Sequence, residues 1–119
     1  MHNLTLAAAG LMAVTFLVHV FYGGRMFHTR VQGSTLDVGL RAISAVVWHG
    51  VSFVLALQIV WLIWLAVHPD TSTSVFLATL QAGFAALFIY YAKNLLGSVR
   101  ALPHWVVFLA LGGLIWAGA

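Results

Sequence analysis

The chain has no cysteine, and among its 119 residues it carries only five basic and two acidic side chains. Without cysteine there is no disulfide framework, iron–sulfur cluster or thiolate ligand, so any metal must be held by histidine, carboxylate or carbonyl groups. A soluble domain devotes roughly a quarter of its residues to charge. Here the share is 6%, too little to coat a water-facing surface, and the remainder must face lipid. The two acidic residues, Asp37 and Asp70, fall in different connections on opposite sides and cannot act as a general acid–base pair. No carboxylate lies within an apolar stretch to orient His49 beside Ser52, which argues against hydrolytic catalysis. Serine-, glutamine- or proline-rich tracts and internal repeats are also missing. The net charge of +3 points to orientation in a membrane rather than to nucleic acid, for which no role is expected.

What is abundant is apolar: 63% of the residues are hydrophobic. A helix needs about 20 apolar residues to cross the hydrocarbon core. The sequence predicts four such helices, over about 3–23, 35–67, 73–96 and 103–119. The expected fold is therefore all-α: a single transmembrane domain over residues 1–119, built as a four-transmembrane-helix antiparallel bundle. Met1 to Ala9 lacks the basic segment of a signal peptide and reads as part of a retained first helix. Gly23-Gly24 suits a helix C-terminus. Ser34-Thr35-Leu36-Asp37 has the form of a capping box, which starts the second helix near residue 35. The short connection His68-Pro69-Asp70-Thr71-Ser72, with a Ser or Thr as the cap, makes the second and third helices antiparallel neighbours. Gly97 ends the third helix and Pro103 suits the first position of the fourth. Arg25, Arg30, Arg41, Lys93 and Arg100 all fall on one side of this arrangement. By the positive-inside rule that side is cytoplasmic, giving a multi-pass protein of the bacterial inner membrane, N-out and C-out.

Six histidines are many for so small a chain. At 100° per residue, His49 shares a helix face with Ala42, Ala45, Ser52, Phe53 and Ala56. His19 shares one with Thr5, Ala8, Met12, Thr15 and Tyr22, and the third helix has a stripe of Ser74, Ala78, Gln81, Ala85 and Ala92. Membrane helices associate through small residues, so these stripes are expected to face inward. Counted from Arg25 and Arg41, His19 and His49 lie at about 9 and 12 Å along their helices, nearly the same depth. Gln58 lies opposite His49 on its helix, which suggests a second contact surface, preferably in another protomer. His2, His68 and His28 read as interfacial residues, and Trp61, Trp64, Trp105 and Trp116 as belt anchors.

Two facing imidazoles, His19 and His49, could supply the axial ligands of a haem b, with Arg25 and Arg41 placed to pair with its propionates. The same pair with His28 or His104 could instead bind a transition metal ion. Proton handling or quinone binding is a third use of an intramembrane histidine. Set against these is a purely structural one, in which His19 hydrogen-bonds a carbonyl on the next helix.

At His19-Val20-Phe21-Tyr22-Gly23-Gly24, then Trp48-His49, then Leu102-Pro103-His104-Trp105, the chain resembles a group of uncharacterised bacterial four-helix inner-membrane proteins sharing an HVFxGG, WH and LPxW pattern. In that group the histidine before the glycine pair and the Trp-His pair recur, while the position of His104 is often another polar residue. The resemblance favours His19 and His49 as the site and brings no activity with it. The expected function is a histidine pair binding haem b or a transition metal in a redox or metal-handling role. The alternative is a non-catalytic accessory or assembly subunit of a larger membrane complex, whose histidines are structural. In either case the partners are the lipid bilayer and a homo-oligomer or larger complex. The orientation is directly testable: a C-terminal reporter active only in the cytoplasm should stay silent, and a signal from it would reverse the topology.

Overall fold

The computed structural model describes residues 2–119, with the side chain of His2 left aside. Helix α1 runs unbroken over residues 2–32. It is α-helical over His2–Leu17, widens to a π-helix over Val18–His28, and closes with one α-turn, Thr29–Gln32. Helices α2 (Val38–Val67), α3 (Thr71–Leu96) and α4 (His104–Gly118) follow, with a 3-10 turn at Val99–Ala101 before the last. Among the described residues there is no strand. The all-α expectation holds, and α1, α2 and α3 are long and apolar enough to cross a membrane. At 15 residues, α4 extends about 22 Å, short of a hydrocarbon core of about 30 Å.

The first helix does not stop at the glycine pair. A glycine pair suits a C-terminus only where the chain turns left-handed, and neither residue has a positive φ; Gly97 is the residue that does, at 80°, ending α3. The connection between α1 and α2 therefore shrinks to residues 33–37. Asp37, rather than a Ser34–Asp37 box, caps α2, its carboxylate accepting from Gly39 N–H at 3.0 Å. Arg41 fastens this connection by donating to the carbonyls of Leu36 (3.1 Å) and Gln32 (3.0 Å), while the Gln32 amide donates back to the Arg41 carbonyl at 2.9 Å. At the other end Asp70, not Ser72 or a threonine, caps α3. It accepts from the Thr73 N–H at 2.7 Å and from the Thr73 hydroxyl, which hold its carboxyl below the usual range.

Backbones approach closely between α1 and α2, between α3 and α4, and between α1 and α4. The core that fills these seams comprises Ala8 and Met12 of α1, Leu55, Leu62 and Leu65 of α2, Leu77 and Ala85 of α3, and Phe108, Leu111 and Ile115 of α4. Gly112 of α4 lies on the seam with α3, where a Cβ would make ordinary van der Waals contact with Gln81 Cβ at 3.4 Å and the Ala78 carbonyl at 3.5 Å. Farther along the same seam, Phe84 and Phe88 stack on Phe108 at 5.2 and 5.7 Å. By contrast α2 and α3, though joined by a short turn, do not pack backbone to backbone along their length. They meet through a polar pair instead, in which Gln81 Nε2 donates to Gln58 Oε1 and to the Leu77 carbonyl.

Both glutamines are interior, at 4% and 0% exposure. The inward stripe of α2 is thus Leu55, Gln58, Leu62 and Leu65, on the side away from the small-residue stripe expected to face inward, of which Ala42, His49 and Phe53 are exposed and Ala45, Ser52 and Ala56 half-buried. A polar amide at membrane depth must find a partner, and Gln81, on a stripe the sequence places inward, supplies it within the same chain. Gln58 Nε2 and Gln81 Oε1 have no partner, so removing one side chain compounds an existing deficit. Gln58→Leu should destabilise the bundle by about 1 kcal/mol, because Gln81 keeps only its bond to Leu77, and Gln58→Leu/Gln81→Leu should recover most of that loss. Thermal unfolding in detergent checks this; a double variant no more stable than Gln58→Leu alone would contradict it.

Candidate functional site

The site begins with the geometry of the wide helical segment. In an α-helix, His28 would stand nine residues after His19 and be turned about 180° from it. With i→i+5 bonding a turn takes about 4.4 residues, so nine residues make about two turns and return to the same face. His19 and His28 thus share one face of α1, with Gly23 between them, all three inside the π-helical stretch Val18–His28.

Trp48 of α2 packs into this face. A Cβ at Gly23 would lie 2.8 Å from the indole Cη2 and 3.2 Å from Cζ2, so only glycine leaves the ring its place. The indole lies nearly parallel to both imidazoles: 3.9 Å and 17° from His19, 5.9 Å and 12° from His28. The two imidazoles come from one turn before and one turn after Gly23, and both lie against the indole. His19 Nε2 also lies 3.3 Å from the Trp48 carbonyl. Since a carbonyl only accepts, this nitrogen is the donor, which fixes the neutral tautomer. The same carbonyl takes the Ser52 hydroxyl at 3.1 Å. His49 then meets His28 edge to face, with ring centroids 4.9 Å apart at 72°. His28 Nδ1 is buried and has no hydrogen-bond partner.

The four sequence-predicted histidines are therefore not one set. His19, His28 and His49 gather around Trp48, at the common depth expected for His19 and His49. His104 sits apart, exposed, its ring stacked 4.5 Å from Phe88. Of the two arginines expected beside a haem, Arg25 is exposed, and Arg41 is occupied with the carbonyls of the 33–37 connection. Among the described residues no three histidine or carboxylate side chains converge to hold a metal ion. A haem between His19 and His49 does not fit this arrangement. His19 Nε2 is directed at a carbonyl, and His49 lies on an exposed face. A cavity of about 200 Å³ lies at the far end of the bundle, lined by Thr5, Leu65, Pro69, Asp70 and Ser74, away from this cluster.

One participant escaped sequence reasoning: Trp48 carried no assigned role. His28, a candidate ligand from sequence, lies in the helix and not in a connection, because the glycine pair does not end that helix. The available signal was the pairing of a glycine notch in one helix with a tryptophan at matching depth in the next.

No family model, curated protein or solved structure matches the chain. What fold and site define together is an all-helical protein with three helices able to span a membrane and one imidazole–indole cluster between α1 and α2. The notch gives a paired test. Gly23→Val should push the indole out, with a shift in tryptophan emission and a stability loss of about 1–3 kcal/mol. Gly24→Ala, whose Cβ would meet nothing within 4 Å, should leave emission unchanged and be neutral to slightly stabilising. Equal effects of the two would remove the notch from the account.

Proposed function

We propose that the chain is an integral protein of the bacterial inner membrane, N-out and C-out, that binds a transition metal ion through His28 and His49 in a redox or metal-handling role. The observation that carries this reading is the meeting of those two rings at 4.9 Å, with a buried His28 nitrogen lacking a partner. Nitrogen donors in the absence of thiolate suit zinc, copper or iron. In this reading His19 and Trp48 are positioning groups: the stack on one side of His28 holds its ring toward His49. The haem variant of the reading loses support because the His19 nitrogen is engaged elsewhere.

A second reading, that of an accessory or assembly subunit with structural histidines, is favoured by one specific contact. His19 does what a helix-bridging histidine does, donating to a carbonyl of the neighbouring helix. The two readings part on metal content. Metal-free protein titrated with Co2+ should develop the visible absorption of a tetrahedral site, lost in His28→Ala and in His49→Ala and kept in His104→Ala. No absorption, with no metal found by elemental analysis after incubation with Zn2+ or Cu2+, would leave the subunit reading.

A further inference from the structure

Positive charge is gathered at one end of this chain and left unanswered there. Arg25, Arg30, Arg41, Lys93 and Arg100 all stand at the end opposite the 68–70 turn. The two acidic side chains are both used as helix caps, Asp37 at that end and Asp70 at the other. Arg41 is turned onto backbone carbonyls, and the other four cations are exposed. Resting only on the membrane part of the reading above, we infer that the chain holds an anionic phospholipid on α3. Lys93 and Arg100 take its headgroup, and an apolar groove of the same helix takes an acyl chain.

The two cations flank a turn that is tied down by hydrogen bonds. Gly97 ends α3 with its N–H donating to the Lys93 carbonyl at 3.1 Å, and Ser98 N–H donates to the Ala92 carbonyl at 3.2 Å. The Ser98 hydroxyl accepts from Arg100 N–H at 3.2 Å, and the Trp105 indole N–H donates to the Val99 carbonyl at 3.0 Å. The 3-10 turn that carries Arg100 thereby packs back on the end of α3. Two exposed cations on a fixed turn, beside the exposed ring of Tyr90, match a lipid phosphate at the membrane surface.

The apolar half of the site lies on the outward side of α3. Phe76, Thr79, Leu80, Gly83, Phe84 and Leu87 line a groove to which no other helix contributes a residue. A Cβ at Gly83 would meet nothing within 4 Å, and Phe76 and Leu87 are 66% and 55% exposed. At helical spacing the stripe of Gly83 and Leu87 continues to Tyr90 and Asn94, beside Lys93. Depth agrees with this continuity. Half of a hydrocarbon core about 30 Å thick is about 15 Å, or about ten residues of helix, which is the separation of Lys93 from Gly83. An acyl chain whose headgroup is held at Lys93 therefore lies over Leu87 and ends at the Gly83 notch. A neutral lipid would leave the cations unanswered, and a partner helix would have to bring carboxylates to the same level.

The test uses the full-length protein in mild detergent, equilibrated with equal amounts of phosphatidylglycerol and phosphatidylcholine and read by native mass spectrometry. One retained phosphatidylglycerol per chain is expected, in clear excess over phosphatidylcholine, and this wild-type preference needs no variant. Retention should fall about fivefold in Lys93→Gln and in Arg100→Gln and stay unchanged in Arg25→Gln. Gly83→Leu should abolish it with every charge in place. Open space at that Cβ and a better helix former leave the helix itself intact, which circular dichroism verifies. Equal retention of the two lipids, or an equal loss in Arg25→Gln, would reduce the effect to diffuse attraction by a basic surface and overturn the site. Lipid retained in Gly83→Leu would overturn the seating of the acyl chain. A dimer in place of bound lipid, broken by Gly83→Leu, would give the groove to a second copy and overturn the lipid site. Failure of the protein to float with vesicles of either lipid would overturn the membrane reading itself.

Discussion

The contact on which the rest of this structure depends is the indole of Trp48 seated over Gly23. A tryptophan ring buries a large apolar area, and its position tolerates no Cβ on the opposing helix. Once it is seated, the π-helical turns of α1 bring both imidazoles against it. Wide helical turns are rare and concentrate at functional sites, because their poorer packing persists only where something else stabilises it. Here the stacked His19–Trp48–His28 arrangement, together with the His19 hydrogen bond to the Trp48 carbonyl, fixes the register of α1 on α2.

The molecule is divided along its length by how its helices are held. Toward the turn at residues 68–70, aliphatic residues of all four helices form the shared core, and Gln58 and Gln81 join two helices that otherwise stand apart. Toward the basic end the helices are held in pairs, α1 to α2 by the imidazole–indole stack and α3 to α4 by Phe84, Phe88, Phe108 and His104. Ring stacking thus takes a larger share of the contacts toward that end, where His49 is exposed.

Much of the fold was legible in the sequence. Composition and run length gave an all-helical chain with apolar spans, and Gly97 and the His68–Asp70 turn were placed by their backbone chemistry. The inward stripe of the third helix was also legible, since Ser74, Gln81 and Ala85 are buried, and that of the first held over Thr5, Ala8 and Met12 but not at Tyr22, which is 64% exposed. Two things were not. The end of the first helix was misread because a glycine pair serves close approach as well as termination, and nothing local distinguishes the two. The stripe of α2 came out inverted because small residues mark an interface without saying which one. There Gln58 was the better guide: an amide at that depth requires a partner, and Gln81 lies at a similar distance from the intervening turn. Both errors fell on the site. They left His28 outside the helix and turned His49 inward, so a haem-spanning pair was expected where the chain seats an indole against two imidazoles.

The central claim, that the wide turns of α1 place His19 and His28 on the same face around Trp48, is tested most directly by solid-state NMR of protein in bilayers with labelled histidine and tryptophan. The account predicts ring-to-ring correlations from the Trp48 indole to both His19 and His28, and from His28 to His49. Correlations from Trp48 to His19 alone, with His28 isolated from both, would show an ordinary α-helical register and contradict it.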